Sequence, residues 1–135
     1  MSTQDNLELA RTLLGKLGQG DAEAAAALFA EDAEWDIAGD ANALPWIGRK
    51  RGRHAVNDFI RDSDRLVERL KLDVEDILAN ERRAVVVGEL ASKVKSTGKV
   101  IETSFVLVLD ISGGRIARFR MLEDSFAVSQ AARGA

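Results

Sequence analysis

Residues 84–123 read AVVVGELASKVKSTGKVIETSFVLVLDISGGRIARFRMLE, and this stretch decides the fold. Its β-branched and apolar runs are interrupted twice, at Ser96-Thr97-Gly98 and at Ser112-Gly113-Gly114. Short polar and glycine segments of this kind make tight hairpin turns. The pattern predicts strands over Ala84 to Lys95, Val100 to Ile111 and Arg115 to Glu123, joined as an antiparallel meander. In the last strand the two-residue period puts Ala117, Phe119, Met121 and Glu123 on one face. Arg118 and Arg120 fall on the other, between Ile116 and Leu122. A helical tail is expected from Ser125 to Arg133.

Upstream of the meander, Leu70, Leu72 and Val74 alternate as a further strand, and Asn80-Glu81 marks its turn. Before that the period changes. Leu7, Ala10, Leu14 and Leu17 recur at helical spacing. Asp5-Asn6-Leu7-Glu8 reads as a capping box for this helix, and Gly18-Gln19-Gly20 ends it. Asp21 is the expected N-cap of a second helix, Ala22 to Phe29. Trp35 and Ile37 alternate with Glu34 and Asp36, as in a strand with one buried face. Residues 39–52 read as irregular and hold the only proline, Pro45. A third helix, about His54 to Arg69, buries Val56, Phe59, Ile60, Leu66 and Val67. Its outer face pairs Asp58 with Arg61 and Asp62 with Arg65. Helices first and a meander last is an α+β order. The expectation is a cone-shaped, mainly antiparallel curved sheet packed on three N-terminal helices, with an internal pocket at the mouth of the cone.

At 135 residues the chain fits one domain, 1–135. The absence of cysteine excludes disulfides and thiolate metal sites and suits a reducing, cytoplasmic setting. The first residues, MSTQDNLELA, lack the features of a signal peptide. No run approaches the length of an apolar membrane span, so no membrane partner is expected. A formal net charge of −3 argues against nucleic acid.

Four stretches carry a family resemblance. The first is Gly20-Asp21 followed by Leu28-Phe29-Ala30-Glu31-Asp32-Ala33-Glu34-Trp35. The second is Trp46-Ile47-Gly48 with Gly52-Arg53-His54-Ala55-Val56 and Phe59. Thr97-Gly98-Lys99 is the third. The last is Gly113-Gly114-Arg115-Ile116 with Phe119-Arg120 and Glu123-Asp124-Ser125. In order and spacing they resemble the SnoaL-like branch of the nuclear transport factor 2-like (ketosteroid isomerase-like) superfamily, over nearly the whole chain. The resemblance implies a cone with a cavity and a homodimer packed through the outer sheet face. It implies isomerases, cyclases, hydrolases, dehydratases or non-catalytic binding modules, so fold alone does not fix function. Ketosteroid isomerases of this superfamily use a tyrosine and two acidic residues facing the cavity. The matching positions here are Leu13, Ile37 and Phe105, and the chain has no tyrosine. Double-bond isomerisation through that oxyanion site is therefore not expected.

Glu123 and Asp124 are the candidate catalytic residues. A carboxylate among apolar groups has its charged form disfavoured, which raises its pKa toward an acid–base range. The alternative is that Asp124 caps the tail helix and Glu123 is solvated at the rim. Trp35, Ile37, Trp46 and Phe59 are candidate substrate contacts, the Trp35 indole N–H donating to a ligand or the ring serving as core. Thr103, Phe105, Phe119 and Met121 complete the candidate wall. Asp36 points outward, whereas Asp40 can reach the mouth. His54 alone makes no metal site and reads as a solvated helix-start residue. Gly48-Arg49-Lys50-Arg51-Gly52-Arg53 is either an anion site at a helix start or a solvated basic turn. Glu89 lies in a run apolar on both faces, so its direction stays open. Gly15, Gly18 and Gly20 follow a helix and make no phosphate loop.

The sequence thus supports two readings. One is a cofactor-independent lyase, cyclase, isomerase or hydrolase acting on a small, largely apolar molecule by carboxylate acid–base chemistry. The other is a non-catalytic homodimeric binding module, paired through the convex face at Arg118 and Arg120.

Overall fold

The computed structural model describes residues 2–133. The first helix, α1 (Thr3–Gln19), starts one turn earlier than the Asp5–Glu8 pattern suggested. Ser2 is its N-cap: the Ser2 hydroxyl accepts from the Asp5 N–H at 3.0 Å, and the Asp5 carboxylate accepts from the Ser2 N–H at 3.2 Å. That reciprocal pair satisfies two free N–H groups of the first turn. Gly20 ends the helix in the left-handed region at φ 70°. Asp21 caps α2 (Ala22–Ala27) through the Ala24 N–H at 3.1 Å. This helix stops short of Phe29, because Phe29 opens strand β1 (Phe29–Ile37) and turns into the core beside Ile116. The stretch expected to be irregular contains a short strand, β2 (Gly48–Arg51), antiparallel to β1.

Helix α3 (His54–Leu66) also ends early. Val67, assigned to the helix from its apolar spacing, instead starts β3 (Val67–Ala79) and pairs with Val94. Asp62, expected on the outer face, is buried; hydrogen bonding to Arg61 holds its carboxyl below the ordinary range, and Arg65 adds to this. The meander follows as β4 (Arg83–Val94), β5 (Val100–Ser112) and β6 (Arg115–Glu123), and α4 (Ser125–Ala132) is the tail helix. The Asn80 side chain forms the β3–β4 turn by accepting from the Arg82 and Arg83 N–H groups.

The six strands form one sheet in the order β2-β1-β6-β5-β4-β3, with only β1 and β6 parallel among the described residues. Residues directly abreast share a face, so the register identifies the two sides. Ala84, Leu109, Phe119 and Trp35 form one row across four strands, and Val86, Leu107, Met121 and Ile37 form the next. These rows face the helices and pack with Ala10, Leu13 and Val56 in a common core. The two-residue period of the last strand reads correctly from Arg118 onward, where Phe119 and Met121 point inward, but a register shift at Ala117 turns Ile116, expected on the outer face, into the core beside Phe29. Aromatic rings thicken this floor, with Phe119 stacked on Trp35 at 4.5 Å between centroids. At the far edge β3 is bent by two register shifts, one between Arg69 and Lys71 and one between Val74 and Asp76.

Candidate functional site

Between the inner sheet face and the helices lies a cavity of about 630 Å³. Trp46, Phe59, Phe105, Leu107, Phe119 and Met121 make its apolar wall, and Glu123 is the carboxylate set among them. Toward the helix ends the lining turns polar at Gln19, Ser63, Asp64, Arg69 and Ser92. Leu14 and Leu17, which helical spacing marked only as core, also reach the cavity. Arg61 and Lys71 line it too, but both are engaged, with Asp58 and Asp62 and with Asp73 and Glu89 respectively.

Glu123 closes β6 abreast of Phe105. Burial pushes its carboxyl from the ordinary 4.5 up to about 7, because among the described residues no neighbouring charge or donor stabilises the anion. A group with that pKa can take or give a proton near neutral pH. Asp124, the next residue, does something else. Its carboxylate accepts from the Ala127 N–H at 3.0 Å and caps α4, so it is a structural cap and lies outside the cavity wall.

Three expected substrate contacts also move out of the wall. Trp35 is 3% exposed and lies behind Phe119; its indole N–H donates to the Trp46 carbonyl at 3.0 Å and is not free for a ligand. Ile37 is wholly buried in the sheet core. Thr103 holds the β6–α4 junction: its hydroxyl accepts from the Asp124 N–H at 2.9 Å and donates to the Ser104 carbonyl at 2.7 Å. Trp46, by contrast, comes from the loop before β2 and reaches the cavity, its ring edge-on to Phe59 at 5.5 Å.

The charged candidates resolve as structural. Asp40 turns to the tail, accepting from Arg133 at 2.8 Å, and that hydrogen bond above all holds its carboxyl below the ordinary range. Asp36 points outward to Arg118 at 3.4 Å. In the basic turn, Arg51 pairs with Glu34 at 3.1 Å, Arg49 lies 3.9 Å from Asp36, and the Arg53 Nε–H donates to the Phe29 carbonyl. Their partners lie within the protein, which argues against the anion site. His54 is exposed at the start of α3. Glu89 lies abreast of the exposed Ser104 and Asp73 on the outer face, where Lys71 meets it at 3.6 Å. Among the described residues no cluster of three or more His, Cys, Asp or Glu side chains can hold a metal ion, and no helix is long and apolar enough to cross a membrane.

A curled sheet closed by helices over a cavity defines the nuclear transport factor 2-like, or ketosteroid isomerase-like, class of α+β fold. The chain belongs to the SnoaL-like domain family, whose profile matches residues 10–119. No curated protein matches it. Among solved structures, it is similar to a nuclear transport factor 2-like protein from Burkholderia xenovorans LB400, with 28% identity and a TM-score of 0.89 over 98% of this chain and 99% of that one. A nuclear transport factor 2-like protein from Burkholderia pseudomallei K96243 shares 22% identity with a TM-score of 0.86, over 99% of this chain and all of that one. A protein of ketosteroid isomerase-like fold from Catenulispora acidiphila, solved with trimethylamine, shares 12% identity with a TM-score of 0.76, over 95% and 94% of the two chains. Leu13, Ile37 and Phe105 are all buried and apolar.

Proposed function

We propose that this domain binds a small, largely apolar organic molecule in the cone and moves a proton on it with Glu123, without a bound cofactor. The observation that carries the reading is the Glu123 carboxylate in the apolar part of the cavity wall, where no charge or donor among the described residues stabilises its anion. Ionised, Glu123 is a base in a dry environment; protonated, it is an acid. Proton removal beside a carbonyl, elimination and epoxide opening all suit that single group. At fold level, a relative solved with a small organic amine is a precedent for ligand binding in this class.

A generic probe tests the chemistry. 5-Nitrobenzisoxazole opens when a base removes its ring proton, giving a coloured phenolate. The expected rate rises with pH through the Glu123 pKa, about 7, and then levels off. Glu123→Gln should lower it by about 100-fold or more. An equal rate in that variant refutes the acid–base reading. The buried apolar triplet Leu13, Ile37 and Phe105 favours the second reading, a binding module. Saturable uptake of the probe without ring opening would select it.

We also propose a homodimer through the convex face. Val85, Val87, Val106, Val108 and Leu122 share that face, and Leu122 is 49% exposed. Among the described residues the Nε of Arg120 is buried there without a hydrogen bond, whereas Arg118 is already ion-paired with Glu34 and Asp36. A second copy would cover the valines and supply an acceptor to Arg120. Sedimentation of Val108→Asp should give monomer where the unaltered chain gives dimer; a monomeric unaltered chain ends this proposal.

A further inference from the structure

Gly88 lies in the middle of β4, inside the run Val85-Val86-Val87-Gly88-Glu89, where a glycine weakens a strand unless something needs the space. Its φ is not positive, so its backbone conformation does not call for glycine. Space does. Gly88, Phe105 and Glu123 lie abreast on β4, β5 and β6 and face the interior together. A β-carbon built on Gly88 would come within 2.9 Å of both Cε1 and Cζ of Phe105, closer than real side chains approach. Nearer still is the Asp73 carbonyl oxygen, at the bend where β3 shifts register between Val74 and Asp76, and that backbone group yields less readily than the ring. The Asp73 carbonyl and the Phe105 ring together occupy the place where a side chain at 88 would be, and of the two only the ring borders the cavity. The sheet backs the ring on one side, and the cavity it lines opens on the other.

We propose that Gly88 is a specificity-determining residue of the cavity: lacking a side chain, it lets the Phe105 ring lie flat against the sheet and so sets the width available beside Glu123. This deepens the cavity reading above and rests on it. A methyl group at 88 tips the ring into the binding volume and excludes the larger ligands first.

The test is a double-variant cycle with N-phenyl-1-naphthylamine, a neutral apolar fluorophore whose uptake does not depend on Glu123 chemistry. Gly88→Ala should weaken its binding about tenfold, the scale of an overpacked methyl group. Phe105→Ala should tighten it. In Gly88→Ala/Phe105→Ala the affinity should return to within about threefold of Phe105→Ala alone, because no ring remains to be displaced. If the Gly88 effect persists at full size without the ring, the inference is wrong. Should Gly88→Ala not fold, the double variant decides: folding restored by removing the ring supports the proposal, and continued failure shows that Gly88 serves the Asp73 carbonyl instead. An unaltered protein that excludes the fluorophore overturns both this inference and the cavity reading. One that binds it but never opens 5-nitrobenzisoxazole overturns only the chemistry of Glu123.

Discussion

Glu123 closes β6, Asp40 follows β1, the strand parallel to it, and the two carboxylates meet opposite fates. Asp40 accepts from Arg133 at 2.8 Å and from the Asn42 N–H at 3.0 Å, and its acid form is disfavoured. Glu123 is turned into the cavity, and burial disfavours its anion. The difference is one of partners. A carboxylate given donors becomes a fixed structural link, inert to pH near neutrality. One denied them stays a titrating group at a pH where proton transfer is useful.

The largest test of that contrast is thermodynamic. In the unfolded chain Glu123 ionises near 4.5, whereas in the fold it keeps its proton to about 7. The folded state thus binds more protons between those values, and stability from this group falls as pH rises through that window, then stays level above it. Glu123→Gln removes the penalty. It should raise unfolding free energy by about 2 kcal/mol at pH 8 and leave it nearly unchanged at pH 4, read from urea melts at the two pH values. A gain of equal size at both would mean that Glu123 is not held neutral by burial.

A second variant probes the joint between the two regions. Thr103→Val keeps the shape but removes the hydroxyl that accepts from the Asp124 N–H. The expected loss is about 1 kcal/mol, with earlier amide exchange in α4 than in the sheet. Unchanged exchange in α4 would show that the joint does not hold the tail.

The smallest effect belongs to the satisfied carboxylate. Asp40→Asn and Arg133→Ala should each lower Tm by roughly 2 °C or less at neutral pH, since both partners are reachable by solvent. The Asp40 link is present above its unfolded pKa and is lost as pH falls through its lowered folded value, the reverse of Glu123. Ring opening of the benzisoxazole should not change in either variant.

Much of this was legible in the chain. The two-residue period from Phe119 to Glu123 correctly placed Phe119, Met121 and Glu123 inside, because a strand buried on one face leaves no freedom in that choice, but it put Ile116 outside, and the register shift that buries Ile116 leaves no periodic signal. Helix ends were less legible. Phe29 and Val67 fit a helical spacing, and only pairing with Ile116 and Val94, distant in sequence, draws them into strands. The fate of Asp40 was hidden for the same reason: its partner, Arg133, lies 93 residues away. Trp35 was correctly placed on the inner face, but the loop that brings the Trp46 carbonyl to its indole carries no periodic signal. Gly88 left a trace that can be read, a lone glycine among valines, but what fills its space is another strand's ring.

The parallel contact between β1 and β6 has a consequence for how the chain acquires its shape. Trp35 finds its stacking partner, Phe119, only across that contact, which joins one of the earliest strands to the last. Until that last strand is made, β1 and β2 have only the helices to pack on, with Phe59 of α3 against Trp35. Closing so long a loop is slow, so folding on the millisecond-to-second scale is expected. A chain cut before Arg115 would leave that pair of strands without its neighbour, with Trp35 and Ile37 open to water, and would aggregate rather than form a smaller domain.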